Sequence, residues 1–155
     1  MAALWLNLSI GRNGVTVVAS KIKQSLGTAH VLTQLREHPD VSVSPRTHVR
    51  IENYAVMCMA GDVAEKKFCP RRHYGGQTDL NNAADLLSYI SESTDITTAR
   101  LNLAIRQARN LVERRWSEIA SVANALVERK TLTANQVREA ICLATNGHDR
   151  SRSEG

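Results

Sequence analysis

The residues best suited to chemistry lie in two short stretches, Ala60-Gly61-Asp62-Val63-Ala64-Glu65 and Gly75-Gly76-Gln77-Thr78-Asp79-Leu80. The second ends in a carboxylate, Asp79, just past a basic, glycine-containing loop over 70–77. Thr78 reads as the N-cap of the helix that follows, which puts Asp79 in its first turn. An acid there is favoured by the helix dipole by ~0.3–1 kcal/mol, and on composition alone that suffices to explain it. A metal centre is a larger demand, because it needs several ligands on one face. The five histidines are His30, His38, His48, His73 and His148, and no two are four apart. No His-Glu-x-x-His occurs. His73, in the loop before Asp79, is the histidine placed to approach a metal; His30 reads as half-buried on a strand.

The three cysteines, Cys58, Cys69 and Cys142, have no metal-type spacing. Cys58 falls within an apolar helical pattern and reads as a reduced core thiol. No Gly-x-x-x-x-Gly-Lys-Ser/Thr loop is present, so the chain carries no ATP site of that kind. The net charge is +5. Lys66-Lys67 with Arg71-Arg72 is the densest basic patch, and the arginines of the long helix scatter around it, interleaved with Glu113, Glu118 and Glu128. No basic stripe forms and no aromatic platform adjoins it, so nucleic acid is not the expected partner. No apolar run approaches the ~20 residues that span a bilayer, and a cytoplasmic protein is expected.

The elements that must position these groups follow from periodicity. With 43% hydrophobic residues but only two Trp, three Tyr and one Phe among 155, the core must rest on aliphatic side chains, as in packed helices. Residues 1–9 read as the tail of a helix bearing Leu4, Trp5 and Leu8, stopped by Gly11 and Gly14. Val15 to Val18 and Thr28 to Thr33 read as two short strands, and a loop is expected over 36–46. The spacing predicts a helix from about 46 to Phe68, ended by Cys69-Pro70. A second helix follows Thr78 through Leu80, Ala83, Ala84, Leu87 and Ile90. From 96 to 129 the residues Leu101, Ile105, Ala108, Val112, Trp116, Ile119, Ala123 and Leu126 fall within an arc of roughly 80°, with Ser117 the place where the helix would divide. Thr133-Ala134-Asn135-Gln136 has the form of a capping box opening a last helix to about Leu143, which Asn146 and Gly147 end. The expected domain organisation is one domain over 1–145 and a polar, disordered tail over 146–155. Ala60, Gly61 and Ala64 read as a close-packing face, and Glu65 as a solvated helix acid.

Taken in order, the chain from about Gly14 to Ile141 is similar to the peptidase domain of the FtsH-like ATP-dependent zinc proteases and their stand-alone relatives. The family's Ala-Gly-x-x-Ala-Glu helix is matched by Ala60, Gly61, Ala64 and Glu65. Its glycine-containing loop ending in Asp-Leu is matched by Gly75, Gly76, Asp79 and Leu80. The long helix, the stretch Ala125 to Leu132 and a final capped helix follow in the family's order. The resemblance implies a mainly α, zinc-peptidase-like domain with a small N-terminal β-strand pair. It implies endoproteolysis by a zinc-activated water, and Asp79 as the third zinc ligand beside two histidines of a His-Glu-x-x-His helix.

The departure is that this helix is absent. In the family it runs into an apolar stretch like Ala2-Ala3-Leu4-Trp5-Leu6, so the resemblance places it just upstream of Met1, and an N-terminally truncated start is expected. The chain itself is then expected to bind no zinc and to be inactive as a peptidase. The partners implied are a polypeptide substrate, with an ATPase on another chain or self-association into a homo-oligomer. The alternative is a non-catalytic helical interaction module.

Overall fold

The computed structural model describes residues 2, 6, 9–18, 28–32, 44–70 and 76–153, with backbone alone over 9–13, 28–32 and 146–153. Their order is β1 (Ser9–Thr16), β2 (Thr28–Leu32), α1 (Pro45–Phe68), α2 (Gly76–Ser88), α3 (Thr94–Arg114), α4 (Trp116–Arg129), β3 (Thr131–Leu132) and α5 (Ala134–Ser153). The chain is mainly helical, with an antiparallel strand pair near its amino end, as composition and periodicity predict. It divides into two compact units, one of residues 33–114 and one built from residues 3–32 and 115–155. Among the described residues no helix is long and apolar enough to cross a membrane.

The first unit is a three-helix packing centred on α1. Ser44 caps α1, its side chain accepting the Thr47 N–H, and Pro45 occupies the first turn, where a missing N–H costs nothing. The helix ends as predicted, with the Cys69 N–H donating to the Glu65 carbonyl just before Pro70. Its buried residues, Thr47, Ile51, Ala55, Val56, Cys58, Met59 and Ala60, cover an arc of roughly 220° at 100° per residue. So wide a buried face is what a helix needs to pack against α2 on one side and α3 on the other. From α3 come Ala104, Ala108 and Val112, small residues that let its backbone approach, and α2 contributes Ala83 and Leu87. Arg100 of α3 reaches across to Glu52 of α1 at 2.5 Å.

The starting point of α2 differs from expectation. The helix opens at Gly76, so Thr78 lies inside its first turn and is not the cap. At that residue the backbone comes close to α1: a Cβ at Gly76 would stand 2.7 Å from Asp62 Oδ1, the end of a flexible side chain. Gly61 corrects a second expectation. Ala60 is buried, but Gly61 is exposed, with nothing within 4 Å of a Cβ built there. It is therefore no packing position. Gly61→Ala should stabilise the protein by ~0.5–1 kcal/mol, since alanine removes the entropic cost of a mid-helix glycine; a higher urea midpoint at unchanged slope is the expected readout.

The second unit is a three-stranded antiparallel sheet, ordered β2-β1-β3, with α4 and α5. Its core is Val122, Leu126, Leu132, Val137 and Ala140, flanked by Val15, Ala125, Ala134 and Ile141. Strand β1 extends over Ser9–Thr16, so Gly11 and Gly14 are strand residues and do not stop a helix. The anticipated amino-terminal helix lies outside the described residues apart from Ala2 and Leu6, and so does most of the loop expected over 36–46. The long helical pattern breaks at Arg115 (φ −113°, ψ 24°), two residues before Ser117. Beyond the break the buried face of α4 is Glu118, Val122 and Leu126, while Ala123 is exposed. The capping box before α5 forms as predicted: the Gln136 N–H donates to Thr133 Oγ1 and the Thr133 N–H to Gln136 Oε1. The backbone of α5 then runs on to Ser153, past Asn146 and Gly147. Those residues lower helix propensity by up to ~1 kcal/mol but forbid nothing.

Candidate functional site

Asp79 stands in the first turn of α2 and faces one stripe of α1. That stripe is Tyr54, Cys58 and Asp62, spaced four residues apart and therefore aligned along one side of the helix. The Tyr54 hydroxyl donates a hydrogen bond to the Cys58 thiol. Asp62 sits against Gly76 and pairs with Lys66 at 2.6 Å. Two successive helices thus bring together two carboxylates, a thiol and a phenol.

The electrostatics of this group are those of a partly desolvated acidic cluster. Asp79 keeps access to solvent, yet partial burial holds its carboxyl above the usual aspartate range, and the negative charge of Asp62 adds to the effect. Burial pushes the Cys58 thiol up to about 11, with Asp79 contributing, against the relief from the Tyr54 hydrogen bond. Tyr54 is raised as well, first by burial and then by Cys58. At neutral pH Cys58 is therefore a protonated thiol, buried and free of disulfide. It is neither a ready nucleophile nor a thiolate ligand.

A catalytic zinc needs three protein ligands, drawn mainly from imidazole, thiolate and carboxylate, plus an open position. Among the described residues, the donor set around Asp79 does not meet that requirement. It offers a second carboxylate already engaged by Lys66 and a thiol that holds its proton. Among the described residues no group of three or more His, Cys, Asp or Glu is arranged to hold a metal ion. His48 lies near the start of α1 and His148 on the backbone of α5, while His73, Gly75 and the Arg71-Arg72 pair lie outside the described residues. The side chain of His30, on β2, is not described either. The structure places Asp79 in the first turn of α2, as predicted, and among the described residues no set of zinc ligands surrounds it.

The local sequence gave no sign of Tyr54 or Asp62 as its neighbours. The usable signal was the four-residue spacing of Tyr54, Cys58 and Asp62, and it became informative only once α2 was seen to pack on that side.

This arrangement can be set beside a known protein. The chain is 27% identical over 135 residues to the ATP-dependent zinc metalloprotease FTSH 11, chloroplastic/mitochondrial, of Arabidopsis thaliana. The chain bears a distant likeness to an FtsH protease. The match covers 70% of this chain but only 16% of the relative, so the chain spans about a sixth of that protein's length. No family model matches the chain. The likeness to an FtsH protease carries no statement about activity.

Proposed function

We propose that this chain is an FtsH-like peptidase-type domain that contributes the carboxylate of Asp79 and does not on its own assemble a working zinc centre. The observation that carries the reading is the position of Asp79: first turn of α2, facing the Tyr54–Asp62 stripe of the helix that bears Ala60 to Glu65. The reaction of the class is peptide-bond hydrolysis, its substrate a polypeptide and its cofactor zinc. ATP-driven unfolding, where it occurs, belongs to another chain or to a larger assembly, and the cytoplasm is the proposed location.

The protonated Cys58 and the Lys66-bound Asp62 also favour the second reading, a non-catalytic helical interaction module of the same ancestry. Zinc content and casein hydrolysis, measured on the wild type and on Asp79→Ala after dialysis against micromolar zinc, test the proposal. The expected result is zinc well below stoichiometric and no hydrolysis in either protein. Stoichiometric zinc in the wild type that Asp79→Ala removes would overturn the inactive half of the proposal. Fusing a His-Glu-x-x-His helix ahead of residue 1 tests the ancestral half: zinc uptake should then appear and depend on Asp79, whereas uptake indifferent to Asp79→Ala supports the module alone.

A further inference from the structure

We draw no further inference here: the strongest candidate, the cleft of the three-helix unit between α1, α2 and α3, lined by Met59, Val63, Leu80, Ile105 and Val112, carries nothing because nothing in the structure shows what fills it.

Discussion

Gly14→Ala should cost ~3 kcal/mol or more, enough to unfold much of the sheet-bearing unit, whereas the same replacement at Gly61 should add stability. Gly14 has a φ of +63°, in the left-handed region where an L side chain is strained by ~1 kcal/mol or more. It also has no room. A Cβ there would lie 1.9 Å from the Leu132 carbonyl oxygen and 2.9 Å from the Thr133 Cα, both backbone atoms that no rotamer change can move aside. Overpacking of this kind costs ~1–3 kcal/mol even when side chains can yield. The glycine marks a β-bulge, since the β1–β2 register is irregular between Ile10 and Val15, and it lets β1 press against β3. Pushing β3 away would pull Leu132, fully buried, out of the core it shares with Val122, Leu126 and Val137. Denaturant unfolding followed by far-UV circular dichroism should show the loss. A Gly14→Ala midpoint equal to that of the wild type would mean that β1 and β3 do not meet as described.

Opposite signs at two glycines show where sequence is informative and where it is not. The helices were legible because a stripe such as Leu101, Ile105, Ala108 and Val112 repeats the helical period many times, and repetition averages out local exceptions. The capping box at Thr133 and Gln136 was legible because both partners lie three residues apart. Strand β3 was not: two residues carry no alternation, and Thr131–Leu132 is a strand only because β1 lies beside it. Asp79 could be placed in a first turn from its neighbours in sequence. Its raised pKa could not, since burial and Asp62 belong to the packing of α2 on α1. In the sequence Glu118 reads only as one of the acids interleaved with the arginines of the long helix. Its true signal was the stripe it shares with Val122 and Leu126, four and eight residues on.

Glu118 should prove the most stability-critical acid in the chain, and its effect should vanish in acid. It is 4% exposed, at the start of α4. Burial works against its charge, but its own backbone N–H, Arg115 at 3.0 Å and Ser117 Oγ at 3.1 Å all donate to the carboxylate, and together they hold its pKa below the ordinary value of 4.5. The helix dipole acts in the same sense. Because the folded state holds the proton less tightly than the unfolded chain does, the ionised carboxylate stabilises the fold fully above the ordinary glutamate range. That stability drains away as pH falls through the depressed folded value. Glu118→Ala removes the acceptor for three donors and leaves a cavity, so it should cost ~1.5–3 kcal/mol at neutral pH, the range for hydrogen bonds to a charged group. Glu118→Gln keeps one acceptor oxygen and should cost less, about 1 kcal/mol. Its more telling property is a flattened acid limb: plotted against pH, wild type and Glu118→Gln should differ above the ordinary glutamate range and converge once pH has fallen through the depressed folded value. Curves that stayed parallel to the lowest pH would show that Glu118 stabilises by its shape and not by its charge.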